Sequence, residues 1–122
     1  MIVGIGTDIV ETARFERLSP AVFERVFTAA ERDYCLARGQ GAAASFAARF
    51  AAKEAVAKAL GTGIARGIRF HDIEVEKREG GAPVCHLHGK AQEQLERLGG
   101  TRVHLSLSHE KGHALAFAIL EA

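Results

Sequence analysis

Cysteine is scarce in this chain, with only Cys35 and Cys85 among 122 residues. Two such residues form no recognisable disulfide framework and suit a reducing compartment, so the expected location is the cytoplasm. Long apolar runs are missing as well. No stretch approaches the ~20 uninterrupted apolar residues of a membrane helix, and the first residues lack the basic-then-apolar layout of a signal peptide. No membrane partner is expected. Charge of one sign is not in excess either: 16 Lys and Arg against 15 Asp and Glu leave a formal net charge of +1. Bulk electrostatics therefore announce no nucleic-acid partner. No linker, repeat or low-complexity segment interrupts the chain, and residues 1–122 read as one domain.

What is present is globular in composition: 48% hydrophobic and 25% charged, close to the averages of folded domains. A chain of this length buries roughly two thirds of its unfolded surface, enough to fold without disulfide staples. Met1 to Val10 (MIVGIGTDIV) reads as a strand, with Val3, Ile5 and Ile9 on one face and Gly4, Gly6 and Asp8 on the other. Glycine on that face leaves room for another group to approach the backbone. Ser19-Pro20 is an N-cap with proline at the first helical position, and Thr28 to Glu31 is a capping box. Ala42 to Leu60 is an alanine-rich helix ended by Gly61. Asp72 to Arg78 alternates, turns at Glu79 to Gly81, and pairs back through Val84 to His88. Lys90 to Leu98 reads as a short amphipathic helix, closed by Gly99-Gly100. Arg102 to Ser108 and His113 to Leu120 make a second hairpin around Glu110-Lys111-Gly112, and the last strand is apolar enough to be buried on both faces. The expected class is α+β, an antiparallel sheet packed on helices.

The long helix is the most informative segment for chemistry. Phe50, Glu54 and Lys58 fall on one stripe. The plainest reading of Glu54 and Lys58 is a surface pair worth ~0.2–0.5 kcal/mol. Asp8, at the end of a glycine-bearing strand, reads first as a turn or capping residue. If that strand end lies against the helix, however, Asp8 and Glu54 offer two hard oxygen ligands. Magnesium uses one or two carboxylates and completes its octahedron with water and phosphate oxygens. The helix lysines, Lys53 and Lys58, and Arg49 then neutralise phosphate charge.

Other patterns carry less. His109-Glu110-Lys111-Gly112-His113 matches the H-E-x-x-H of zinc proteases, which needs both histidines on one helical face. Here it follows an alternating run and contains glycine. Gly4-Ile5-Gly6 lacks the third glycine of a dinucleotide loop. His86, His88 and His104 read as solvated strand residues, and Ser106 and Ser108 as outward positions without a nucleophile elbow. On these residues alone the function stays open.

Three segments together resemble one family. They are GIGTDIVETARF at Gly4 to Phe15, RFAAKEAVAKALGTG at Arg49 to Gly63, and LSLSHEKGHALAFAI at Leu105 to Ile119. In order and spacing they are similar to the holo-acyl-carrier-protein synthases, the small trimeric class of 4′-phosphopantetheinyl transferases. The resemblance implies that family's fold and its reaction: transfer of 4′-phosphopantetheine from coenzyme A to a serine of apo acyl carrier protein. It implies magnesium on Asp8 and Glu54, with Lys58 near the coenzyme A phosphates as a third catalytic residue. It implies a coenzyme A site lined by Arg49, Gly61, Thr62, Gly63, Ser108 and His109, and carrier docking at Arg14 and Arg25. It also implies a homotrimer with sites between subunits, serving fatty acid biosynthesis.

Overall fold

Side-chain caps set the first helices. In the computed structural model, which describes residues 1–122, Ser19 Oγ accepts from the Val22 amide at 3.3 Å and opens α1, Pro20–Val26. Thr28 Oγ1 accepts from the Glu31 amide at 3.2 Å, and Glu31 Oε1 accepts from the Thr28 amide at 2.8 Å. This reciprocal pair opens α2, Ala29–Leu36. The alanine-rich helix α3 spans Ala42–Ala59 and is followed by Gly61, whose φ of 84° reverses the chain. A short amphipathic helix α4, Gly89–Arg97, completes the set. No helix is long and apolar enough to cross a membrane.

The strands divide into two antiparallel sheets rather than the one expected. β1 (Ile2–Glu11), β4 (Arg102–Glu110) and β5 (His113–Glu121) make a three-stranded sheet in the order β1-β5-β4. β2 (Ile73–Lys77) and β3 (Pro83–Leu87) form a separate two-stranded ribbon. Both expected hairpins are present, and the first strand joins the last, with Asp8 opposite Ala116.

α3 lies across one face of the three-stranded sheet. Ala114, Ala116, Ala118 and Leu120 of β5 are buried beneath it. Burial of β5 on both faces is corrected here: Phe117 on the opposite side is 41% exposed, together with Leu115, Ile5 and Ile9. A single helix covers a single face, and no other element of this chain reaches the second.

The contact between α3 and β1 is made by backbone. A Cβ on Gly6 would overlap the carbonyl oxygen of Ala55, and one on Gly4 would overlap that of Ala59. The glycine face of β1 thus admits the helix to a distance that no other residue permits. Around the far end of α3, Phe23, Phe27 and Phe46 pack with centroids 4.8–6.1 Å apart, and Phe15, Phe50 and Phe70 extend the cluster.

A buried ion pair holds the other side of α3. Lys53, fully buried, donates to Glu31 at 2.9 Å, to the Phe70 carbonyl at 3.0 Å and to the Ile73 carbonyl at 2.6 Å. Its three donors are thereby satisfied. Glu31 also accepts from the Val75 amide at 2.7 Å, so the capping residue of α2 ties α2, α3 and β2 together. Lys53 faces the core, which removes it from the expected grouping of helix lysines with phosphate. Burial pulls the Lys53 ammonium below its ordinary range, and the Glu31 carboxylate opposes that fall. Both cysteines are free, and burial pushes the Cys85 thiol up to about 12.

Replacing Gly6 by alanine should force β1 and α3 apart. Overpacking of this kind costs about 1–3 kcal/mol, which chemical denaturation reads as a lower midpoint at unchanged slope. An unaltered midpoint would show that the strand and helix tolerate separation.

Candidate functional site

Matched spacings bring the carboxylates together. Two strand residues advance about 6.6 Å and four helix residues about 6.0 Å. Because Gly4 meets Ala59 and Gly6 meets Ala55, β1 and α3 run in opposite senses. Asp8, the next residue on that face, therefore arrives beside the stripe of Glu54 and Lys58. Lys58 Nζ lies 2.9 Å from Asp8 Oδ1 and 3.0 Å from the Thr7 carbonyl. The surface pair expected between Glu54 and Lys58 gives way to this longer-range bond.

Glu54 is half-buried, and burial pushes its carboxyl above the ordinary glutamate range; the negative charge of Asp8 pushes the same way. Lys58 and Arg14 act in opposition. Arg14 thus belongs to the rim of this cluster as well as to the surface. Its guanidinium carbon stands 5.3 Å from the Phe50 ring centroid, on the turn that follows β1. Immediately beyond α3, Gly61 and Gly63 have positive φ, and Thr62 Oγ1 donates to the Gly63 carbonyl at 2.8 Å.

The remaining expected residues lie elsewhere. Arg49 and His109 line a cleft of about 510 Å³ with Tyr34, Arg38, Ser45 and Lys77. No acidic residue lines it. Five positions separate Arg49 from Glu54, which turns the two side chains roughly 140° apart around α3. Ser108 is exposed beside His109 in a neighbouring hollow formed with Ile9 and His113. Arg25 borders a third hollow with Ile64, Ile68, Arg69, Phe70 and His71. The chain thus holds an acidic pair with Lys58 on one side and a cationic cleft on another.

Tyr34, Arg38 and Lys77 were not foreseen at the cleft. Tyr34 is the chain's one tyrosine, and its place two residues before the end of α2 gives no sequence signal of what it faces. The H-E-x-x-H pattern resolves as a hairpin end, with Glu110 opposite His113 and Lys111 at φ 42°. His86, His88 and His104 pair with Glu76, Glu74 and Glu121 at 3.0–3.2 Å; His86 and His104 are on strands, whereas β3 ends at Leu87 and His88 is the N-cap residue of α4. No group of three or more His, Cys, Asp or Glu is arranged to hold a metal.

The Glu54 shift is directly testable by carboxyl-carbon NMR titration. Glu54 should titrate above a reference glutamate, and in Asp8→Asn its midpoint should fall, because one of the two causes that raise it is removed. An unmoved midpoint would mean that the two carboxylates share no field. The sign for stability follows: an acid whose folded value is raised loses stability as pH rises from the unfolded value through the folded one.

Comparison with known proteins bears on this arrangement. Residues 4–118 match the model of the 4′-phosphopantetheinyl transferase superfamily. A holo-[acyl-carrier-protein] synthase of Alkalilimnicola ehrlichii is 52% identical, over 100% of this chain and 98% of its own. The crystal structure of the holo-[acyl-carrier-protein] synthase of Neisseria meningitidis superposes with a TM-score of 0.87 at 38% identity, covering 100% of both chains. That of Helicobacter pylori, in complex with coenzyme A, gives 0.82 at 32% identity, covering 96% of this chain and 99% of its own. This chain belongs to the holo-[acyl-carrier-protein] synthase family of the 4′-phosphopantetheinyl transferase superfamily.

Proposed function

We propose that this chain transfers the 4′-phosphopantetheine of coenzyme A to a serine of apo acyl carrier protein, in support of fatty acid biosynthesis in the cytoplasm. Residues 1–122 serve as one transferase domain. The observation that carries this reading is the meeting of Asp8, Glu54 and Lys58 where β1 crosses α3. The serine hydroxyl attacks the phosphorus attached to pantetheine. The bond from that phosphorus to the bridging oxygen breaks, and adenosine 3′,5′-bisphosphate leaves. Such transfers are catalysed chiefly by positioning and by neutralising charge on phosphate oxygens.

The donor set fits magnesium. Asp8 and Glu54 supply two hard oxygen ligands, and a dication relieves the like-charge interaction that raises the Glu54 carboxyl. When bound there, the ion supplies charge neutralisation and orientation of the pyrophosphate. Lys58, half exposed and already directed at Asp8, stabilises the phosphate oxygens of the leaving group. The serine proton passes to one of the two carboxylates, Asp8 or Glu54, directly or through one water. The Gly61-Thr62-Gly63 turn, next to Lys58, adds backbone groups to the pantetheine side.

Arg49, Ser108 and His109 bind the nucleotide end of coenzyme A, and the acid-free cleft is suited to its phosphates. Arg49 and Glu54 point to different sides of α3, and in our reading the ligand that touches both sets lies between two subunits. The uncovered face of Ile5, Ile9, Leu115 and Phe117 supports an assembly of copies. We read it as a homotrimer, a closed ring of head-to-tail sites. Arg14, at the rim of the acidic pair, and Arg25, beside its own hollow, meet the acidic carrier.

Intact-mass spectrometry of apo carrier with coenzyme A and magnesium should register a phosphopantetheine-sized gain. Chelator or Glu54→Gln should remove it, whereas near-normal turnover by Glu54→Gln would sink the metal assignment. Co-refolding Glu54→Gln with Arg49→Ala should restore about a quarter of the sites, because about half of the boundaries are mixed and only one of the two orientations of a mixed boundary joins two intact halves. Recovery no greater than the sum of the separate variants would place each site within one subunit. Arg14→Ala should raise the Michaelis constant for the carrier, with a penalty that changes with salt. A value equal to wild type at every salt concentration would take Arg14 out of the docking surface.

A further inference from the structure

The cationic cleft contains a residue that the reaction leaves without a role. Tyr34 sits near the end of α2, and the guanidinium carbon of Arg49 lies 4.2 Å from its ring centroid. That of Arg38 lies 5.6 Å from the same centroid. All three residues line the cleft, together with Lys77 and His109, and no carboxylate is among its lining. Two guanidinium groups flank one aromatic ring in a place that offers no anion to hold them.

Arg49 is only 4% exposed, and its hydrogen bonds are few for such burial. Nη1 donates to Ser45 Oγ at 2.9 Å and to the Ser45 carbonyl at 3.4 Å. Ser45 Oγ in turn donates to Cys35 Sγ at 3.2 Å. Nε is buried with no partner at all. A buried, unpaired donor on a cation is costly unless a ligand completes it. The contact with an aromatic face lowers that cost by attraction to the ring quadrupole, and it also fixes the plane of the guanidinium fork.

We infer that Tyr34 is a positioning residue for phosphate recognition, its ring holding Arg49 and Arg38 as paired donors toward a phosphate of the nucleotide in this cleft. The inference rests on the reading that the cleft takes the nucleotide end of coenzyme A. Ser45 fixes one edge of the Arg49 fork, and the ring fixes its plane. The other edge is left for an oxyanion, with Arg38 as the second cation. The ring achieves this without a carboxylate, which would neutralise the arginines and compete with the phosphate.

The test uses the full-length enzyme and three variants, Tyr34→Leu, Tyr34→Phe and Arg49→Ala. The probe is adenosine 3′,5′-bisphosphate, whose dissociation constant is measured by calorimetry, beside steady-state constants for coenzyme A and carrier. Tyr34→Leu should raise the dissociation constant and the KM for coenzyme A about tenfold, the scale of one desolvated cation–aromatic contact. The KM for carrier and the saturating kcat should stay near wild type, and Tyr34→Phe, which keeps the aromatic face, should bind nearly as well as wild type. If Arg49→Ala weakens binding while Tyr34→Leu does not, the positioning role is wrong and the cleft reading stands. If Arg49→Ala binds the bisphosphate as wild type does, the cleft reading itself fails. Equal impairment of Tyr34→Phe and Tyr34→Leu, or a parallel loss in carrier KM and kcat, would overturn the inference in favour of a structural role.

Discussion

The contact of α3 with the glycine face of β1 governs the site. Gly4 and Gly6 leave no side chain between strand and helix, so the two backbones meet through the carbonyls of Ala55 and Ala59. The strand's period of two and the helix's period of 3.6 then determine which residues come next to each other. Asp8 continues the glycine face, and Glu54 and Lys58 continue the helix stripe. A carboxylate pair assembled this way needs no loop to place it. Its geometry is inherited from the two most regular elements in the chain.

The same helix is held in rotation by its opposite side. Lys53 and Glu54 are adjacent in sequence and point about 100° apart. Lys53 is anchored by three acceptors, one of them the capping carboxylate of α2. Breaking such a buried pair from one side is severe, because the partner charge is left without compensation. The buried ion pair therefore acts at a distance on the half-buried carboxylates. It sets the angle at which Glu54 leaves the helix, and it sets where β2 lies through the Ile73 carbonyl and the Val75 amide.

Much of this was legible in the sequence. Alternation located the strands, capping residues located α1 and α2, and the Gly4-Gly6-Asp8 face announced a close approach. The association of Asp8 with Glu54 followed once that face was laid against the helix. Three things were not legible. The partner of β1 was hidden because nothing local specifies pairing between residues more than a hundred positions apart. Lys53 and Lys58 look alike in a charged helix, and only the three-dimensional acceptors separate the buried one from the exposed one. The apolar character of β5 suggested cover on both sides, whereas composition records only that a face is apolar and says nothing of what covers it.

The cationic cleft has walls of unequal stiffness. On one side stands α3, eighteen residues long and pinned by backbone contact and by a buried ion pair. On the other stands the β2–β3 ribbon, two strands of five residues whose tip carries Lys77, Gly81 and Pro83 into the cleft. The base of the ribbon is clamped, with Ile73 and Val75 buried and bonded to Lys53 and Glu31. Its tip is exposed, and a two-stranded ribbon draws little rigidity from its own ladder. The wall is built as a cantilever: its root is tied into the core, while its tip projects beyond those anchors. Any give in the cleft is therefore placed at the turn from Arg78 to Ala82, on the ribbon and not on the β1–α3 contact that sets the spacing of Asp8 and Glu54.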